Sequence, residues 1–138
     1  MAKETGLAIT TLSVDDSVGG VQTARDIRND ITSFDFATPR EEQDVTGINL
    51  SARERLLLLA DFSSTMAGVF NDAANLSHAV FKTIPSTSQL RTISLNISGQ
   101  TLANECWLTD YKLTRPENGE LTWEVPAVLG DGVVPTWS

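Results

Sequence analysis

The side chains that could do acid–base or metal chemistry in this chain are few, and they are poorly spaced for it. His78 is the one histidine and could serve as a general base or a metal ligand. Cys106 is the one cysteine, so it has no internal disulfide partner, and one imidazole with one thiol cannot assemble a zinc set. Cys106 lies in an alternating strand pattern, where a free thiol behaves as a small apolar side chain rather than a nucleophile. His78 follows the apolar Leu76 by two positions on a predicted helix and reads as solvent- or interface-facing. Carboxylates are paired at Asp15-Asp16 and Glu41-Glu42. Adjacent carboxylates on a strand or loop point apart, so neither pair makes a two-carboxylate site, and both read as solvated charge. Asp131-Gly-Val lacks the spaced oxygen ligands of a calcium loop. The sequence contains no Gly-x-Ser-x-Gly, no glycine-rich phosphate loop before a helix and no dinucleotide fingerprint. These residues point away from an enzyme and imply no cofactor and no metal.

Three tryptophans could instead make a binding platform. Trp107 and Trp123 fall on the two strands of one predicted hairpin and read as core residues. Trp137 stands beside the C-terminus, where it is harder to bury within one subunit, and is a candidate subunit contact.

The elements that must position these residues are mostly strands. The 138 residues suit one domain (1–138) able to bury a core, and 41% hydrophobic with 20% charged content is ordinary for a globular chain. The formal net charge of −8 argues against gripping nucleic acid, which requires a cationic surplus. Met-Ala-Lys-Glu-Thr has no apolar signal region. The run Leu56-Leu-Leu-Leu-Ala60 is too short to cross a bilayer, so no membrane-spanning segment is expected.

A first strand is predicted over residues 7–14, closed by Asp15-Asp16 and Gly19-Gly20, and a second over Ile27 to Phe36. Thr38 to Asp44 is polar and broken by Pro39, which predicts an exposed loop at about 37–47 with edge character in any strand it forms. Ser51-Ala-Arg-Glu54 reads as a turn before a long strand from about Arg55 to Phe70. Asn71 or Asp72 caps a predicted helix at about 72–84, with Leu76, Val80 and Ile84 at helical spacing and Pro85 ending it. Three alternating strands follow: Arg91 to Ser98, a long one from Thr101 to Arg115, and Glu120 to Val125 after Asn118-Gly119. Asn-Gly is a type I′ hairpin signal. Residues 129–138 read as an irregular tail. The expected architecture is mainly β, an antiparallel β-sandwich or partial barrel with one inserted α-helix and extended loops.

The order of these segments resembles the major tail tube protein of long-tailed bacteriophages. The resemblance is carried by Asp30-Ile-Thr-Ser-Phe-Asp-Phe-Ala-Thr-Pro-Arg40, Asp44-Val-Thr-Gly47, Asp61 to Phe70, and Asn71-Asp-Ala-Ala-Asn-Leu-Ser-His78. It continues through Arg91-Thr-Ile-Ser-Leu-Asn-Ile97, Gly99 to Leu102, Leu108 to Arg115, Gly119 to Trp123 and Gly132 to Trp137. It spans nearly the whole chain and lies in the order of the segments.

The resemblance implies a structural subunit of the virion, made in a host bacterial cytoplasm, whose hexameric rings stack into a hollow tube. It implies partners in other copies of itself and in tail proteins such as the tape measure and terminator. Double-stranded DNA would be passing cargo. Strands of neighbouring subunits would continue one another's sheets. The polar strand positions Asp61, Ser63, Thr65, Ser94, Asn96 and Asp110 are the candidate lumen-facing residues of an acidic bore. Pro39, Arg40, Glu41, Glu42 and Asp44 are the candidate inter-ring loop. The competing readings are a tube subunit of a contractile injection or type VI-like system, a terminator that forms single rings, a monomeric β-sandwich binding module using Trp107 or Trp137, and, most remotely, an enzyme built on His78.

Overall fold

A computed structural model describes residues 3–18 and 20–138 of the chain. In chain order the strands are β1 (Ile9–Val18), β2 (Val21–Asp26), β3 (Ile31–Ala37), β4 (Arg40–Asp44), β5 (Arg55–Ala60) and β6 (Ser63–Val69). Helix α1 (Ser77–Phe81) precedes β7 (Arg91–Ile97), β8 (Gln100–Leu108), β9 (Lys112–Thr114) and β10 (Thr122–Leu129). Seven strands form one antiparallel sheet in the order β2-β1-β7-β8-β10-β6-β3, with β9 also pairing β10. Strands β4 and β5 pair separately as a two-stranded ribbon. The fold is mainly β, as the alternating patterns predict.

Alternation sets which face is dry. Leu12 and Val14 of β1, Ile93 and Leu95 of β7, Leu102 and Cys106 of β8, Met66 of β6, and Trp123, Val125 and Ala127 of β10 join one buried cluster with Val80 and Phe81 of α1. Trp123 is buried there, and its indole Nε1 donates to the Val69 carbonyl at 3.0 Å.

The long strand predicted from Thr101 to Arg115 is divided, and a proline accounts for the division. Pro126 lies in β10 between Ala127, which pairs Leu108, and Glu124, which pairs Lys112. Its carbonyl accepts from Thr109 N at 3.3 Å, so its backbone faces the β8–β9 side, where proline has no N–H to donate. Pairing therefore lapses over Thr109 to Tyr111 and resumes in β9. On the other flank β10 pairs β6 without a break, from Thr122 against Val69 to Val128 against Ser63.

Turn chemistry departs from expectation in an instructive way. At Asn118-Gly119 only the glycine has positive φ (95°), and Gly119 N donates to the Pro116 carbonyl at 2.9 Å. The hairpin forms, but through a longer loop than a two-residue I′ turn. The tight turn is at Ser98-Gly99, where both residues have positive φ (49° and 81°) and Ile97 pairs Gln100 directly. That is the conformation a two-residue I′ loop demands.

Five further expectations are corrected. The second strand over Ile27 to Phe36 is replaced by β2, a 3-10 turn at Arg28–Asp30, and β3. Asp15 and Asp16 do not close a turn; they are buried in β1. The strand from Arg55 to Phe70 is two strands parted at Asp61-Phe62, and the polar stretch after Pro39 contains β4 rather than only loop. The helix predicted at 72–84 shrinks to Ser77–Phe81, because Asn71 Oδ1 accepts from Ala73 N at 2.9 Å and Asn75 adopts a left-handed φ of 65°, so the preceding residues fold as turns.

Candidate assembly surface

The outer face of the large sheet is the surface built by the positions left over from the core. Cross-strand register aligns Thr11 with Asn96 and Thr101, Ser13 with Ser94 and Ala103, and Thr92 with Glu105. Further along, Pro126 aligns with Thr65 and Asp35, Glu124 with Ala67 and Ser33, and Val128 with Ser63 and Ala37. Four of the sequence-predicted residues, Ser63, Thr65, Ser94 and Asn96, are thus brought to one face of one sheet. Asp61 is exposed in the gap before β6, where its Oδ1 accepts from Phe62 N at 2.8 Å. Asp110 is exposed in the lapse opposite Pro126. It does not sit on a regular strand, because Pro126 ends the pairing there.

This face is polar, made of small residues and acidic in balance. Its strand carboxylates Asp26, Asp35, Glu105 and Glu124 meet one strand cation among the described residues, Lys112, which pairs Glu124. Short polar links tie it together. Thr10 Oγ1 donates to Asn96 Oδ1 at 2.9 Å, Asn96 Nδ2 donates to Thr101 Oγ1 at 3.2 Å, and the Thr92 hydroxyl donates to Glu105. Trp107 belongs to this face, not to the core. It aligns with Val128, is 40% exposed, and rests on Gly130, where an added Cβ would come within 2.7 Å of the indole. Sequence reasoning missed this because two strands of one hairpin do not guarantee one facing; counting the alternation from Leu102 through Cys106 would have placed Trp107 outward.

Among the described residues the sheet ends in two strands paired along one side only, β2 and β3. A free strand edge invites pairing with another chain unless charge, proline or a bulge blocks it. The edge of β3, Ile31–Ala37, contains Asp35 as its only charge and no proline, and its one irregularity, a register shift between Ile31 and Ser33, lies at its start.

The ribbon β4–β5 carries the other predicted residues. Arg40, Glu41, Glu42 and Asp44 lie on β4, every residue of which is exposed, with Pro39 just before it. Pro39 O accepts from Asp61 N at 2.9 Å and ties the base of the ribbon. At the far end Asp44 Oδ1 accepts from Thr46 N at 2.9 Å, and Arg53 pairs with Asp44. The Thr46 hydroxyl and amide, aided by Arg53, hold the Asp44 carboxyl below the usual range. Sequence reasoning put Leu56 to Leu59 on a strand without assigning them a face; all four are exposed.

The residues singled out for chemistry sit in packed or paired surroundings. Cys106 is buried, and burial, with the nearby Asp131, Glu105 and Asp61 charges, pushes its thiol up to about 12. His78 Nδ1 lies 3.2 Å from the Tyr111 hydroxyl, with the Phe70 ring centred 4.8 Å away. Asp16 accepts from Arg25 Nε at 2.9 Å. Burial lowers the Arg91 pKa against the opposing pull of Asp16 and Asp15. The guanidinium still binds α1 to the sheet, donating to the Val80 carbonyl and to Thr83 Oγ1 at 2.6 Å. Trp137 is half-exposed, bridges to Leu102 and packs on Phe36 with ring centroids 6.2 Å apart.

Comparison with known proteins gives a fold and no sequence family. No family model matches, and no curated protein matches. A chain in the virion of a native gene transfer agent particle superposes with a TM-score of 0.73 at 18% identity, covering 97% of this chain and 99% of that one. A chain in the tail of an empty gene transfer agent particle, solved by helical refinement with C6 symmetry, gives 0.68 at 20% identity, covering 99% and 98%. Over essentially its full length, then, this chain shares the fold of chains found in the virion and the tail of gene transfer agent particles.

Proposed function

We propose that this chain is a structural subunit of a phage tail tube, self-assembling into hexameric rings that stack around a hollow conduit for DNA. The observation that carries the reading is a long antiparallel sheet with one dry face, one small-polar, acid-leaning face and a free strand edge at each end. Copies joined edge to edge would extend that sheet into a closed wall, a heterologous contact that forms a ring when the rotation closes. The six-fold symmetry reported for the similar gene transfer agent tail supports that closure. With the acidic face inward, Ser63, Thr65, Ser94 and Asn96 would line the bore beside Glu105, Glu124 and Asp35. DNA phosphates would find no cationic purchase there. The β4–β5 ribbon, with Arg40, Glu41, Glu42 and Asp44, would reach the adjacent ring. Tape-measure and terminator proteins would meet the same tube at its bore and end.

Negative-stain electron microscopy of the purified protein over a concentration series tests this. Rings or tubes of one bore are expected. A chain that stays monomeric at high concentration and binds a ligand through the exposed Trp107 overturns the proposal in favour of a binding module.

A further inference from the structure

The polar outer face of the large sheet carries an apolar island where β10 runs out into the C-terminal tail. Trp107 pairs with Val128, and the two are 40% and 41% exposed. Gly130 seats the indole, because a Cβ there would come within 2.4 Å of Leu90 and 2.7 Å of the ring. The tail enlarges the island by bulging. Leu129 pairs with Cys106 and Trp137 bridges to Leu102, so the tail takes Gly130 to Thr136 over the span that β8 crosses with Ala103 to Glu105. The surplus loops onto the outer face, where Val133 borders a cavity of about 110 Å³ with Thr92, Ala103 and Glu105. Val133 and Val134 are both 63% exposed. Exposed apolar ground with a polar rim marks an interaction site.

Carboxylates surround this island. Glu105 stands two residues before Trp107 on the same face, Asp131 follows Gly130, and Asp61 shares a cleft with Gly130. Beyond burial, the charges of all three reach the Cys106 thiol, one residue from Trp107. Among the described residues none of the three forms an ion pair. Arg40, the cation in that cleft, turns its guanidinium to the Leu58 carbonyl at 2.8 and 3.2 Å. An exposed indole among such carboxylates attracts a cation twice, through the ring quadrupole and through their charge. We propose that the island docks a segment of another protein in which an arginine or lysine stands beside an aliphatic residue. The cation lies over Trp107 within reach of Glu105 and Asp131, and the aliphatic side chain covers Val128 and Val133. The same charges decide against other occupants. Nucleic acid would bring its phosphates up to the carboxylates, and a second copy would bring a net charge of −8. A free polyamine would leave the valines in water. The inference goes beyond the tube reading, because it needs only the outer face of one copy.

The probe is a short synthetic peptide of leucine and arginine, titrated into the full chain carrying isotope-labelled tryptophan. Nuclear magnetic resonance then reads each indole N–H, and Trp107→Leu identifies the Trp107 signal. The peptide is expected to shift the Trp107 signal saturably in the wild-type chain and to leave buried Trp123 unmoved. Trp107→Leu, and Glu105→Gln with Asp131→Asn, should each weaken binding about tenfold, with thermal melts confirming that the variants fold. The peptide with serine for leucine, and spermine, should bind the wild-type chain at least about tenfold more weakly. A shift at Trp137 in place of Trp107, unchanged affinity in folded Trp107→Leu, or spermine or an oligothymidylate binding as tightly as the peptide overturns the proposal. Electron microscopy of the same samples reads assembly separately. Rings or tubes beside an unmoved Trp107 overturn the docking site and leave the tube reading standing. A chain that binds at Trp107 and never assembles upholds the docking site and removes the tube.

Discussion

Replacing Asp30 should unfasten helix α1 from the sheet. Asp30 is buried in the 3-10 turn before β3 and accepts from Ser77 N at 3.0 Å and from Asn71 Nδ2 at 2.9 Å, with Asn29 Nδ2 at 3.4 Å. Ser77 is the first residue of α1 and is fully buried, so its amide is one of the helix N-terminal donors with no partner inside the helix. In Asp30→Ala the buried Ser77 amide loses its acceptor without gaining water, and the half-buried Asn71 amide loses its acceptor too. A hydrogen bond to a charged group contributes about 1.5–3 kcal/mol, so two good bonds put the loss at about 3–5 kcal/mol, in the range for breaking a buried network. At a urea m-value of about 2 kcal/mol/M, the midpoint should fall by about 2 M. Asp30→Asn, which keeps one acceptor oxygen, should lose less. The pH dependence has a definite sign. Burial works to raise the Asp30 pKa, but the Asn71, Ser77 and Asn29 hydrogen bonds outweigh it and hold the folded carboxyl below the usual carboxylate range. The unfolded chain therefore binds the proton more readily, and the Asp30 contribution is complete above the unfolded pKa and lost as pH falls through the folded one. Urea melts of the unassembled protein at pH 7 and at steps down to pH 3 measure both effects. An Asp30→Ala midpoint within about 0.5 M of wild type at pH 7, taking the same m-value, would refute the tether.

Two other outcomes follow from packing. Gly68→Ala should be severely destabilising, by about 3 kcal/mol or more, because its Cβ would fall 1.9 Å from the Asp30 carbonyl oxygen and 2.9 Å from Trp123 Cζ2; a thermal melt reads it, and an unchanged midpoint contradicts the close approach of β3 to β6. Cys106, buried with its thiol pushed up to about 12, should resist maleimide at pH 8 in the folded chain and react fully in denaturant; fast labelling under native conditions would place the thiol outside the core.

How much of this was legible in the sequence depended on whether the determining interaction was local. The meander after Arg91 could be read because alternation of Ile93, Leu95 and Ile97 is set within one strand. Pro126 was in plain view as the signal for the break at Thr109 to Tyr111, yet its effect falls on a strand more than a dozen residues away. Asn118-Gly119 advertised a I′ turn, but Pro116 starts a turn two residues earlier and leaves the glycine as a closing left-handed residue. The helix was overextended because Leu76, Val80 and Ile84 satisfy helical spacing, while Asn71 and Asn75 supply competing turn geometry. Burial of Asp15 and Asp16 depends on Arg25 and on backbone partners from β2 and β7, which local patterning does not identify. On the candidate surface, alternation found Ser63, Thr65, Ser94 and Asn96 together. The exposure of the β5 leucines was not legible, because hydrophobicity says that a surface wants covering and not where along the fold it lies.

Seen mechanically, β10 is a spine clamped along one flank and jointed along the other. Its bond row to β6 is unbroken, so that side resists flexing as a unit. Opposite Pro126 the row to β8 and β9 has a lapse, bridged by the single Thr109 N to Pro126 O bond, and there the sheet can yield at the cost of that one bond. A wall that must fit its neighbours while keeping its own core sealed would gain from such a joint. Its position is fixed covalently, by a missing N–H, so neither salt nor pH would move it.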